Sequence, residues 1–362
     1  MGGGRMIKNG RNIVMGGRRL RELTDRFKDI RIAVAGDFFL DRIFMIDREL
    51  DEDSVETGLT AYQVTSRKLL PGSAGTVTNN LNALGVGELY SVAILGDDGE
   101  AYDLVKGLQA TGVDTQYSVR SPEMFTPTYT KTFFDYPQGI EETHRIDIQN
   151  RNPTPESTQE QLIAGFNALA DKVDAIICLE QLRHNECGVF TSSVHASLKD
   201  IAKRNPGLVM LADSRFNMFD FRYMSRKCND AEAVRAVFPD KVITAESMIS
   251  DDLLHSSMGR LSEQSDGLLF VSCGSKGIKV LENEVVQSVD ACRVDGPIDI
   301  CGAGDAATSA ITLALCAGAS PTEAALIGNL VASITIEQIG VTGTATIEQV
   351  HARFDIVFNM YM

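Results

Sequence analysis

The chain has 362 residues, 44% hydrophobic and 23% charged, with 34 Lys and Arg against 49 Asp and Glu for a formal net charge of −15. That length supplies a large core, most simply one domain with an appendage, and the acidic balance argues against a nucleic-acid or anionic-membrane surface while leaving room for a local basic pocket. The longest apolar run, Ile311 to Ala319, is too short to span a bilayer, and seven cysteines and five histidines without disulfide or zinc spacing read as those of a reduced, cytoplasmic protein.

Residues 1–29, opening MGGGRMIKNGRNIVMGGRR, are basic and glycine-rich and read as a flexible extension before a domain over 30–362. Strand-like apolar runs then alternate with helical patterns. They are RIAVAGDF (31–38), a helix over 76–84, LYSVAILG (89–96), a helix over 101–110, AIICLE (175–180), a helix over 192–203, LVMLAD (208–213), KVITA (241–245) and GLLFVSCG (267–274). This alternation predicts an α/β fold on a mainly parallel sheet, with functional loops at the carboxyl ends of its strands. Residues 43–70 and 117–148 break the rhythm; their alternating, β-prone character predicts a small separate sheet.

The first strand ends in Gly36-Asp37, and Asp41 follows. Carboxylates there can accept from sugar hydroxyls, and each alone equally fits a loop or helix cap. In LPGSAGTVTNNLNALG (70–85), Gly72 and Gly75 allow a ligand close to the backbone before the run continues as helix. NDAE (229–232) reads locally as a helix start with its cap and an acid three residues on.

DICGAGDAATSAITLALCAG (299–318) is the richest stretch. Its Ala- and Leu-rich part predicts a helix from about Gly304. The preceding Gly-Ala-Gly leaves N–H groups uncovered, and the helix end adds about half a positive charge, so the two form an anion cradle. Asp305 at its lip has three readings. It is a first-turn acid that complements the dipole, or part of a G-x-G-x-x-A dinucleotide fingerprint, or a base that takes the proton of an alcohol while the N–H groups hold the phosphoryl group under attack. The dinucleotide reading lacks the required first βα turn and following acid, since Glu323 opens another helix.

Asp299, Gly302, Ala303, Gly304 and Asp305 match D-x-x-G-A-G-D, which resembles the second signature of the ribokinase-like (PfkB) sugar kinases. VAGDFFLDR is similar to the VGDxxLDR opening of the heptose phosphate kinase branch. LPGSAGTVTNN resembles the first signature, with Ser73 in place of the second glycine, Thr76 where Asn is usual, and Asn80 matching. N-x-x-E and VSCGSKG (271–277) follow in the family's order, although Cys273 stands where heptose kinases often carry Arg.

The resemblance implies a mainly parallel central sheet flanked by helices, with a β lid from about 43–70 and 117–148. It implies Asp305 as the base and Gly302, Ala303 and Gly304 as the anion hole. Asp37, Asp41, Gly72, Ser73, Thr76 and Asn80 then become sugar ligands, with Lys131 and Arg145 for a phosphate already on the sugar. Ser272, Gly274, Lys276, Gly277 and Asn329 fall on the ATP side, with the Gly340–Gly343 turn beside them. Asn229 and Glu232 act on Mg2+ through water, and Asp299 belongs to a monovalent-cation (K+) site. The expected partner is a sugar or sugar phosphate, without nucleic acid or membrane, in a homodimer that pairs lid strands. The sequence contains no H-x-G-H nucleotidyltransferase element, so the expectation is the kinase step alone. The alternative is a sugar- and nucleotide-binding regulator of the same fold without turnover, which would have no need of the Asp305 carboxylate.

Overall fold

The computed structural model describes residues 15–136, 139–183, 186–243, 247–263 and 265–361. In chain order the first half runs α1 (Gly17–Thr24), β1 (Arg31–Gly36), β2 (Phe38–Asp47), β3 (Glu52–Asp53), β4 (Thr60–Ala61), β5 (Val64–Ser73), α2 (Ala74–Ala83), β6 (Glu88–Val92), β7 (Ile94–Leu95), α3 (Gly99–Ala110), β8 (Val113–Asp114), β9 (Val119–Arg120), β10 (Thr128–Tyr136) and β11 (Gly139–Ile148). The second half runs α4 (Glu156–Ala170), β12 (Ala175–Glu180), α5 (Ser192–Arg204), β13 (Val209–Ser214), β14 (Ser225–Asn229), α6 (Asp230–Val237), α7 (Asp251–Ser262), β15 (Leu269–Ser272), β16 (Ile278–Glu282), β17 (Val285–Val289), α8 (Ala303–Cys316), α9 (Pro321–Thr335) and α10 (Ile347–Tyr361).

Nine strands form the main sheet in the order β17-β16-β15-β14-β13-β12-β1-β6-β8. Pairing is parallel from β8 through β15 and antiparallel at β16 and β17. A strand covered on both faces needs a continuous apolar run, and Ile32, Ala33, Val34 and Ala35 of β1 are all buried. Their side chains alternate between faces. Ile32 and Val34 join the core with Val77, Ile311 and Leu330 of α2, α8 and α9, while Ala33 and Ala35 join Phe166 and Leu198 of α4 and α5.

A second sheet, β11-β10-β2-β5, is the expected lid. It is antiparallel at β10/β11 and β2/β5 and parallel at β10/β2. Only Asp37 separates β1 from β2, so the lid springs directly from the end of a central strand.

Two expectations change. Residues 1–14 lie outside the described residues, but 15–29 are part of the domain and not of an extension. Leu20, Leu23 and Phe27 are buried, Thr24 bonds His351 of α10 at 2.9 Å, and Arg26 and Arg19 donate to the Ala317 and Gly318 carbonyls at the end of α8. The strand expected at 241–245 is not formed at 241–243, and residues 244–246 lie outside the described residues. Its place in the sheet belongs to β14, sequence SRKCN, where polar composition hid a central strand. Arg226 and Lys227 are buried there with partners: Arg226 donates from its two Nη atoms to the Met218 and Leu261 carbonyls, its Nε having no partner among the described residues, and Lys227 pairs with Asp213 at 2.8 Å. Among the described residues no helix is long and apolar enough to cross a membrane.

Candidate active site

The site gathers where β1, β13 and β14 end, beneath the lid. Asp37 opens it. Its Oδ2 accepts the Gln181 and Leu182 N–H groups at 2.7 and 2.9 Å, and burial pushes its carboxyl up to about 6 despite them. Asp37 thus ties β1 to the turn after β12. Asp41, half-buried in β2, lies over Gly72, where a Cβ would sit 2.6 Å from its Cγ, so a side chain there would displace the carboxylate. Burial raises the Asp41 carboxyl, and the Lys131 and Arg145 cations oppose the shift.

The two lid cations differ. Arg145 forks onto Asp147 at 2.7 and 2.9 Å and lies 3.9 Å from the Tyr129 ring centre, which stacks on Phe39 at 4.2 Å. Its guanidinium is already committed. Lys131, its partner across β10/β11, is half-buried with no ion pair among the described residues, and its charge bears on Asp41, Asp299 and Cys301.

α2 begins at Ser73, which has φ 55° and ψ −114°. Such a conformation costs a residue with a side chain on the order of 1–3 kcal/mol. The Ser73 side chain makes no cap bond, and its buried Oγ has no partner among the described residues. Thr76 is buried, its methyl 3.6 Å from where Gly302 would carry a Cβ, so the first turn of α2 meets the glycine loop. Asn80 is fully buried, donates to the Thr76 carbonyl at 3.0 Å and leaves its Oδ1 without a partner among the described residues.

Gly302, at φ 81°, is the N-cap of α8, and no side chain caps the helix. The N–H groups of Gly302, Gly304 and Asp305 have no partner among the described residues, whereas that of Ala303 donates to Ile300 at 3.2 Å. The open donors therefore include Asp305's own and exclude Ala303's. Asp305 is half-buried; burial first, then Asp213, pushes its carboxyl up to about 7, against the pull of Lys227 and Arg215. A carboxylate poised there is matched to proton transfer near neutral pH.

Beneath the loop lies a triad absent from the sequence expectations. Lys227 Nζ and Thr308 Oγ1 each donate to Asp213 Oδ2 at 2.8 Å, and Lys227 Nζ is 3.6 Å from the Cβ position of Gly304. Arg215, exposed just beyond β13, was missed too. It has no ion pair among the described residues, and its charge bears on Asp37, Glu232 and Asp305. The signal for Asp213 and Arg215 was their place after the run LVML; nothing local distinguished Lys227.

Asn229 and Glu232 form a reciprocal capping box. Asn229 Oδ1 accepts the Glu232 N–H at 2.7 Å and Glu232 Oε2 the Asn229 N–H at 2.9 Å. Asn229 is the last residue of β14, directly before α6. Burial, then Asp213, raises the Glu232 carboxyl. Asp299 staples the glycine loop: its oxygens accept the Cys301 and Gly340 N–H groups at 2.9 and 3.0 Å, and these bonds lower its carboxyl.

On the expected nucleotide side, Ser272 closes β15 in register with Asn229. Gly274 and Gly277 turn at φ 56° and 90°, and a Cβ on Gly277 would meet the Val289 carbonyl at 2.1 Å. Lys276 is exposed, 3.9 Å from Asp251. Both amide hydrogens of Asn329 go to the Val289 and Asp290 carbonyls at 3.0 Å, so Asn329 holds the chain after β17. A cavity of about 260 Å³ beside the site, lined by Glu180, Glu186, His195 and Asp220 among others, contains none of these residues.

Comparison with solved structures places this geometry in a known fold. Escherichia coli phosphofructokinase-2 in complex with potassium superposes with a TM-score of 0.67 at 16% identity, covering 91% of this chain and 99% of that one. Thermotoga maritima ribokinase gives 0.63 at 18% identity over 90% and 99%, and Arabidopsis thaliana ribokinase complexed with ribose and ATP gives 0.64 at 14% over 90% and 98%. The fold is ribokinase-like. Among curated relatives, the bifunctional protein HldE of Trichlorobacter lovleyi is 27% identical over 333 residues, 90% of this chain and 63% of that protein, and HldE of Shewanella baltica is 24% identical over 332 residues, 90% and 64%. The chain thus spans under two thirds of the length of these relatives. The family model for pfkB family carbohydrate kinases matches residues 41–348, most of the chain, and the chain belongs to that family.

Proposed function

We propose that this protein transfers the γ-phosphate of ATP to a hydroxyl of a sugar or sugar phosphate. One observation carries the reading: a carboxyl raised toward neutrality stands at the uncapped, positive end of α8, beside N–H groups that have no partner among the described residues. In the reaction the acceptor hydroxyl gives its proton to Asp305 as its oxygen bonds the γ-phosphorus. The bond from that phosphorus to the bridging oxygen breaks, and ADP leaves with the electron pair. The open N–H groups of the loop, with Lys227 beneath Gly304, stabilise the charge spreading over the transferred group.

Magnesium fits this donor set. Glu232 keeps Oε1 outside its capping box, and Mg2+ takes one or two carboxylates with water and phosphate oxygens instead of an all-protein cage. Bound there through water, it would neutralise phosphate charge. Asn229 has spent its carbonyl oxygen on the cap, so its amide N–H suits a phosphate oxygen. Asp299, held ionised by two backbone N–H groups, suits a K+ site beside the loop.

Acceptor identity is the finer part of the proposal. The VAGDFFLDR opening and the HldE relatives make heptose 7-phosphate the first acceptor to test, and Lys131 and Arg215 are the cations free to meet its phosphate. The experiment is ADP release from MgATP over a panel of hexoses, heptoses and their phosphates, with Asp305→Asn beside the wild type. Turnover on one acceptor that disappears in the variant is the expected result. ATP binding without turnover on any acceptor would instead favour the non-catalytic regulator.

A further inference from the structure

α8 carries Gly304, Asp305 and Thr308 on one face, because positions three and four apart are neighbours on a helix. Two charged side chains from the central sheet meet that face. Asp213 and Lys227 stand opposite each other in the β13/β14 register and pair at 2.8 Å. Asp213 accepts Thr308 Oγ1 at 2.8 Å, and Lys227 Nζ reaches to 3.6 Å from the Cβ position of Gly304, so the pair is locked to the first two turns of the helix. An ammonium has three hydrogens to give. Among the described residues Lys227 gives one, to Asp213, and its side chain is only 4% exposed, so the other two have almost no access to solvent. For stability alone a well-packed apolar pair would serve the sheet as well as a buried ion pair.

We infer that Lys227 and Asp213 are positioning residues that act on Asp305 in opposite senses, the ammonium keeping it ionised between turnovers and the carboxylate making it a stronger proton acceptor. The inference rests on the kinase reading above and deepens it, since that reading makes Asp305 the base. Burial opposes the Lys227 charge, but Asp213, Glu232 and Asp305 outweigh it, so the ammonium persists inside the fold. The other charged or titratable groups whose fields meet Asp305 are Arg215 beyond β13, Glu232 in the first turn of α6 and the Cys301 thiol before α8. Arg215 is exposed, where salt and water screen it, and Glu232 is drawn to the Asn229 N–H. Lys227 and Asp213 are instead fixed to α8 and to each other.

Removing one charge of a buried pair strands the other. The test therefore uses Asp213→Asn, whose amide oxygen can still accept from Lys227 and Thr308, and the double variant Asp213→Asn/Lys227→Met, which leaves neither charge between the strands. One readout is kcat/KM against pH at saturating MgATP with the best acceptor of the sugar and sugar-phosphate panel. The other is the titration of the Asp305 carboxyl in the unliganded protein by carbon NMR, its signal assigned by its loss in Asp305→Asn. The wild type should titrate at about 7. Asp213→Asn should move both midpoints down by about one pH unit, and adding Lys227→Met should move them back up by about as much, the shift a charge a few ångströms away produces. Midpoints that stay in place, or that fall further in the double variant, would overturn the inference and leave the kinase reading standing. Losses of Tm and kcat with unmoved midpoints would likewise overturn it, since they mark a purely structural pair. Opposite shifts by NMR in a protein silent on the whole panel would remove the kinase reading and leave the charge coupling standing.

Discussion

α8 and α9 are neighbouring, Ala-rich helices packed in one core, and they begin in opposite ways. α9 starts Ser320-Pro321 with a complete capping box: the Ser320 side chain accepts the Glu323 N–H, and Glu323 accepts that of Ser320 at 2.8 Å. α8 starts at a left-handed Gly302 with no side-chain cap and with donors left open. α3 and α5, which cover the sheet away from the glycine loop, are closed by Asp98 and Thr191. An absent side-chain cap does not by itself set α8 apart, since α1, α2 and α4 have none either; what distinguishes its start is a left-handed glycine with the raised carboxyl of Asp305 beside it. α6 stands between the two cases, closed by Asn229 and Glu232 yet leaving one carboxylate oxygen free.

Breaking the open end should have the largest effect. Asp305→Asn should lower kcat by about 10²- to 10⁴-fold with folding intact; near-normal turnover in the purified variant would remove Asp305 as base. Gly302→Ala comes next. It forces a Cβ to φ 81° and to 3.4 Å from Thr342, so we expect kcat to fall by about 10- to 10²-fold with a smaller loss of stability, measured by steady-state kinetics and urea melts. At the closed end the pattern inverts. Ser320→Ala should cost about 1 kcal/mol of stability and leave kcat unchanged. A kinetic effect there would mean that α9 does more than support α8.

Dependence on pH sharpens the same contrast. Asp305 must be ionised to act, so kcat should rise with pH through about 7. Its effect on stability has the opposite sign. A carboxyl raised in the fold binds its proton more tightly there than in the unfolded chain, so Asp305 detracts from stability as pH climbs from about 4 to 7. Asp37 and Glu180, raised to about 6 and about 7, act in the same direction, so the smallest and most specific signal is the difference between wild type and Asp305→Asn in melts across that window. Parallel curves would show that Asp305 is not perturbed.

Much of the architecture was legible because period and composition agreed. β1, β12 and β13 are apolar runs buried on both faces, and α2, α3 and α5 lie within a few residues of their expected spans. The glycine loop was legible because its residue types have few other uses at a helix start. β14 was illegible because Arg226 and Lys227 read as surface until their partners, Met218, Leu261 and Asp213, are brought to them by the fold. α1 was hidden by Arg18, Arg19, Arg21, Arg26 and Lys28 in a glycine-rich context, although Leu20, Leu23 and Phe27 carry a buried face.

By itself the sequence determined the alternation of strands and helices, the two stretches that became the lid, and the order Asp41, glycine turn, N-x-x-E and G-A-G-D. These depend on local period, backbone permissiveness and residue chemistry, which a short window contains. Only the tertiary structure decided which carboxylates and cations face one another. Arg145 is committed to Asp147 while Lys131 has no ion pair among the described residues, Asn329 is spent on Val289 and Asp290, and Lys227 lies beneath Gly304 with Asp213 and Thr308. The energy of a charge is set by its distance to other charges and to water, and those distances join residues far apart in the chain, 95 positions for Asp213 and Thr308 and 145 for Asp37 and Leu182.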